Sequence, residues 1–129
     1  MNMRENSSVI FLPCADIEAT HRFYTQTVGL PMIQEQAGGS LRIYDTGYGY
    51  WGFCVYPDGR PLLGGAQGVC LSLNCRDRAE VDRLYAAMEA AGVKLLTRPA
   101  MQERFPVYSF FAEDPSGYRV EFQKVDDRP

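Results

Sequence analysis

One order of elements is written twice in this 129-residue chain. The stretch "SVIFLPC", from Ser8, reads as a strand over residues 8–12 whose ladder Pro13 stops. "ADIEATHRFYTQTVGL" follows as a helix. Ile17, Thr20, Tyr24 and Val28 recur at helical spacing, Asp16 is placed to cap the start, and Gly29 to end it. Three β-rich segments come next, "MIQEQ", "SLRIYD" and "YWGFCVYP", with glycines between them as turn signals.

After "RPLLGGAQG" the order restarts. "VCLSLNC" reads as a strand and "DRAEVDRLYAAMEAAG" as a helix, with Asp77 and Glu80 in a capping-box arrangement. Val81, Leu84, Tyr85 and Met88 form its apolar stripe, and Gly92 ends it. "VKLLTRP", "VYSFFAED" and "YRVEFQKV" supply three more strands. The two halves also match in detail. "DTGYGYWGF" from Asp45 answers "DPSGYRVEF" from Asp114, with the same spacing from Asp to Phe. A period of about 60 residues is too long for a solenoid repeat. It implies one domain, residues 1–129, made of two modules at about residues 7–66 and 67–125.

Charge and hydropathy narrow the function classes. Apolar residues make up 46% and charged residues 22%, with a net charge of −3, as in ordinary globular chains. No two Lys or Arg are adjacent, so no basic run suits a nucleic-acid backbone or a membrane surface. No apolar run approaches the ~20 residues of a membrane span. The N-terminal stretch lacks the apolar region of a signal peptide, so a cytoplasmic location is expected. Cys14, Cys54, Cys70 and Cys75 show no C-x-x-C spacing and read mainly as small buried hydrophobes.

Two stretches, "ADIEATHRFYTQTVGL" and "AEDPSGYRVEFQ", resemble the first helix and the last turn and strand of the vicinal oxygen chelate superfamily. Glyoxalase I, extradiol dioxygenases, fosfomycin-resistance enzymes and bleomycin-resistance proteins belong to that superfamily. The resemblance spans about residues 7–124. It implies an α+β fold of two βαβββ modules, whose strands form a curved, open mixed sheet around a cleft with the helices outside. It also implies a homodimer.

Metal-dependent members hold a divalent cation with residues from strands of both modules. Glu121 matches one such ligand. The station on the opening strand falls on Val9 in the first half and Cys70 in the second, and the mirror of Glu121 is Gly52. Valine and glycine cannot ligate, and a thiolate at Cys70 could hold a soft metal although the family usually has His there. The single histidine, His21, lies inside the first helix and reads as a helix-surface residue. Three of four ligand stations thus depart from the pattern, so no metal site and no cofactor are expected; the alternative is a divalent metal at Glu121.

Strand alternation turns Tyr118, Val120 and Phe122 toward the helix and Arg119, Glu121 and Gln123 toward the cleft. Glu121 is then a paired charge beside Arg119, a hydrogen-bond acceptor for a ligand, or a general base. On "YWGFCVY" the same rule sends Trp51 and Phe53 inward. It leaves Tyr50 and Tyr56 flanking a gap at Gly52. Tyr50, Gly52, Tyr56, Tyr108, Arg119 and Glu121 are the candidate ligand-binding residues, with Glu121 the candidate catalytic one. Aromatic side chains around one carboxylate suit a flat or cationic small molecule.

Three functions follow. The first is a metal-free binding protein of the bleomycin-resistance type. The second is an enzyme, such as a metal-dependent lyase, dioxygenase or transferase, that works through Glu121. The third is an accessory module whose cleft is filled.

Overall fold

The computed structural model describes residues 3–65 and 68–125. The chain forms two compact units, the first running to Leu63 and the second starting at Gly64. The module boundary expected at residues 66 and 67 lies outside the described residues.

The first unit runs β1 (Val9–Pro13), α1 (Ile17–Arg22), β2 (Met32–Gln36), β3 (Leu41–Asp45) and β4 (Tyr50–Cys54). Its sheet has the order β1-β4-β3-β2, with β1 parallel to β4 and the other pairs antiparallel. Pro13 does not stop the ladder. It sits inside β1 opposite Cys54, and the Cys14 amide still donates to the Cys54 carbonyl at 2.9 Å. Proline is tolerated there because β1 is the end strand of its sheet.

The Asp16 carboxylate caps α1 by accepting from the Ala19 amide at 3.1 Å. Beyond Arg22 the helix widens into a π-helical turn, Phe23–Thr27, which helical spacing did not reveal. Gly29, at φ +92°, closes it while the Leu30 amide donates to the Tyr24 carbonyl, a Schellman-like end.

The second unit repeats the plan with β5 (Cys70–Asn74), α2 (Arg78–Ala90), β6 (Lys94–Leu95), β7 (Ala100–Met101), β8 (Val107–Glu113) and β9 (Arg119–Val125). The order is β5-β9-β8-β6, with β7 also paired to β8 and β5 parallel to β9. The strand expected over "VKLLTRP" shrinks to β6, and β7 lies beyond that stretch, past Pro99. The capping box is also altered. Asp77 accepts from the Glu80 amide at 2.8 Å, but Glu80 reaches back to the Arg76 amide rather than to that of Asp77.

Each unit packs its helix against one sheet face. In the first, Tyr24 stacks on Phe53 at 4.6 Å between ring centroids, and Trp51 meets Tyr24 edge-on. In the second, Val81 and Met88 of α2 are fully buried, and Tyr85 meets Phe110 edge-on at 5.2 Å. Burial of such rings is the main favourable contribution to folding.

Two close approaches test this packing. A Cβ on Gly64 would lie 2.5 Å from the Gly117 carbonyl oxygen, which is backbone and cannot move aside. A Cβ on Gly52 would clash with the Phe11 ring alone, whose residue is 44% exposed and can rotate, and would touch Ile43 at an ordinary 3.5 Å. Gly64→Ala is therefore expected to cost about 1–3 kcal/mol and Gly52→Ala clearly less, read by urea unfolding of both variants. The thiols give a second check. Cys14, Cys54 and Cys75 are buried and Cys70 is exposed. Maleimide should label Cys70 first, and Cys70→Ser should leave only thiols that react after denaturant is added.

Candidate functional site

β9 alternates as its sequence requires. Tyr118, just before it, and Val120 and Phe122 within it are fully buried, while Arg119, Glu121 and Gln123 keep part of their surface exposed. The parallel partner β5 sets Cys70 opposite Arg119 and Ser72 opposite Glu121. The antiparallel partner β8 sets Phe111 opposite Glu121. These strands put Glu121 on the floor of a groove with a volume of about 620 Å³. Cys70, Ser72 and Gln123 lie beside it, and Phe105, Val107, Phe111 and Val125 make apolar walls. All of the lining belongs to the second unit.

The polar contacts on this floor are few. The Ser72 hydroxyl donates to Glu121 Oε1 at 2.7 Å. Among the described residues, the second oxygen of Glu121 has no hydrogen-bond partner and no ion pair involves it. Arg119 does not pair with Glu121; its guanidinium lies 5.5 Å from the centroid of the Phe111 ring. The Cys70 sulfur lies 3.8 Å from the Ser72 hydroxyl. Partial burial of the thiol pushes its pKa up, and the Glu121 charge adds to that, so Cys70 stays protonated at neutral pH.

The structure thus brings Arg119 and Glu121 onto one face, but it separates Tyr108 from them. Tyr108 points to the helix side of the sheet, where its hydroxyl donates to Asp82 at 2.6 Å and Arg78 lies near its ring. Alternation along β8 explains this, because Tyr108 and Phe111 differ by an odd number of residues.

Tyr50, Gly52 and Tyr56 lie in the first unit. The register of Tyr50 and Gly52 does match the second unit. β1 pairs Val9 with Tyr50 and Phe11 with Gly52, at the stations where β5 pairs Cys70 with Arg119 and Ser72 with Glu121. The gap expected at Gly52 is nevertheless filled by the Phe11 ring, 2.6 Å from where a Cβ would stand. Tyr50 is buried with Ile33 and Ile43, its hydroxyl accepts from the Arg4 amide at 2.8 Å, and the Arg4 guanidinium lies 4.6 Å from its ring centroid. Tyr56 lies beyond the end of β4, where alternation no longer applies, and carries the Arg60 guanidinium 3.7 Å from its ring centroid. His21 Nδ1 lies 3.0 Å from the Tyr44 hydroxyl, as suits a helix residue.

Ser72 and Phe111 were missed as site residues. Alternation on "VCLSLNC" puts Ser72 on the face of Cys70, but its bond to Glu121 depends on the β5–β9 pairing.

A divalent cation in a catalytic site takes three or more protein donors. Around Glu121 the groove offers one carboxylate, one hydroxyl, one thiol and the amides of Gln102 and Gln123. Among the described residues, no group of three or more His, Cys, Asp or Glu could hold a metal ion. Among these donors Glu121 is the one carboxylate, and the groove has no imidazole.

The fold and sequence have clear relatives. The profile of the Glyoxalase/Bleomycin resistance protein/Dioxygenase superfamily matches residues 7–122. The fold is similar to that of a lactoylglutathione lyase from Agrobacterium tumefaciens, with a TM-score of 0.71 and 21% identity over 95% of this chain and 96% of that one. A glyoxalase/bleomycin resistance protein/dioxygenase family enzyme from Burkholderia phytofirmans PsJN gives a TM-score of 0.75 and 21% identity over 92% and 97% of the two chains. A glyoxalase-related enzyme from Fulvimarina pelagi gives 0.75 and 22% identity over 94% and 88%. Among curated proteins no sequence matches significantly. With a match over residues 7–122, this chain belongs to the glyoxalase/bleomycin resistance protein/dioxygenase superfamily.

Proposed function

We propose that this protein binds a small organic molecule in the groove of its second unit without a metal, and that Glu121 accepts a hydrogen bond from a cationic or donating group of that molecule. One observation carries the reading. A carboxylate with one oxygen unclaimed by the described residues stands in a groove whose walls are largely apolar. A partly desolvated charge favours an opposite charge or a strong donor, and apolar walls supply affinity for the rest of the molecule. The donor set around Glu121 supports the metal-free part.

The enzyme reading rests on the same carboxylate acting as a general base, with Ser72 holding one oxygen so that the other faces the groove. It adds one expectation: Glu121→Gln abolishes turnover of a bound substrate while its binding survives.

A homodimer belongs to the proposal. It is supported by exposed Ile10 and Phe11 on β1, the end strand of its sheet, and light scattering of the purified chain tests it. So does a cytoplasmic location, supported by four free cysteines and tested by fractionation. No helix among the described residues is long and apolar enough to cross a membrane.

Two measurements test the binding reading. Benzylamine, a small aromatic cation, should shift the amide resonances of β5, β8 and β9, and Glu121→Gln should weaken it by about tenfold. Unchanged binding in that variant would overturn the hydrogen bond from the ligand to Glu121. Protein purified without a metal-binding tag, then incubated with nickel, zinc, manganese or iron(II), should retain well under one metal per chain. Stoichiometric metal that disappears in Glu121→Ala would overturn the metal-free part.

A further inference from the structure

The floor of the groove carries Glu121, which has no ion-pair partner among the described residues, and Arg119, of opposite sign, lies against Phe111, one of the groove's walls. Arg119 and Glu121 stand two residues apart on the same face of β9, which sets their backbones ~7 Å apart. Side chains of that length can meet across such a gap, yet these do not. Glu121 is held by Ser72, and Arg119 lies over Phe111. Among the described residues neither forms an ion pair or has a further partner. The acid directly opposite Arg119 across the sheet, Glu113, is engaged with Lys94 at 3.4 Å. Phe111 links the two charges, since its ring lines the groove and also carries the Arg119 guanidinium.

We infer that the ligand of this groove is a zwitterion with an apolar body, its ammonium end on Glu121 and its carboxylate or phosphate end on Arg119. The inference rests on the binding reading above and narrows it. A ligand with a cation alone would leave Arg119 without a partner, and one with an anion alone would place its charge beside Glu121. A guanidinium offers a planar fork that suits a carboxylate or a phosphate. The alternating carboxylate and guanidinium fix the direction of the ligand along β9. Phe111 and Val107 then meet the apolar body attached to the charged groups.

Three probes that differ only in their charged groups separate the possibilities: L-phenylalanine, 2-phenylethylamine and 3-phenylpropanoate. Each is titrated into the isotopically labelled full chain at neutral pH and followed by the amide resonances of β5, β8 and β9. L-Phenylalanine should bind about tenfold more tightly than either single-charge probe. Arg119→Met, which keeps an apolar stem over Phe111, should lower L-phenylalanine to the level of 2-phenylethylamine and leave 2-phenylethylamine unchanged. Glu121→Gln should lower it to the level of 3-phenylpropanoate. Arg119→Gln serves where the methionine variant does not fold. If a single-charge probe binds as tightly as L-phenylalanine and the Arg119 variants change nothing, the zwitterion inference falls while the groove stands as a binding site. If none of the three probes perturbs these strands, the binding reading falls with it.

Discussion

Everything in this structure depends on a parallel pairing. In each unit the opening strand lies beside the closing strand and runs in the same direction, β1 with β4 and β5 with β9. Parallel neighbours cannot be joined by a tight turn, so the chain needs a crossover, and a helix follows each opening strand. That helix brings an apolar stripe that must be covered, and one face of the sheet covers it. The opposite face is left for other uses. The pairing also sets the register, which places Phe11 against Gly52 in one unit and Ser72 against Glu121 in the other.

The two units share this frame and use the free face differently. In the first, the face is closed by the protein's own side chains. Phe11 covers Gly52, and Met3 and Arg4 lie over the cluster of Ile33, Ile43 and Tyr50. In the second, the matching stations carry a hydroxyl, a carboxylate and an arginine, and a groove remains. Apolar groups stabilise by leaving water, so the first face gains from being filled. A carboxylate pays a desolvation cost when buried with too few partners, so the second face stays partly open and keeps Glu121 wet. One plan used twice thus carries one filled face and one face with a groove.

Much of the fold was legible in residue order. Asp16 and Asp77 cap helices as their positions announced, and the burial of Tyr118, Val120 and Phe122 follows from alternation alone. Glu121 was recognisable as a carboxylate on a strand otherwise built for a core. Its partner was not. Ser72 is far from Glu121 in sequence, and only strand pairing brings the two within 2.7 Å. Arg119 was expected beside Glu121 as a possible pair, but a long side chain has many rotamers, and contact with the Phe111 ring decided this one. Tyr56 was misplaced because β4 ends at Cys54, a boundary that no local pattern marks.

Local chemistry therefore decided the elements, their caps, the duplicated plan and which residues face the helices, because caps and periodicity act over a few residues. Tertiary structure decided which side chains fill the free faces. It also set the π-helical turn at Phe23–Thr27, the short β7 past Pro99, and the Glu121 oxygen that no described residue claims. Those outcomes depend on groups brought together from distant parts of the chain, whose packing and hydrogen bonds compete only after the strands have paired.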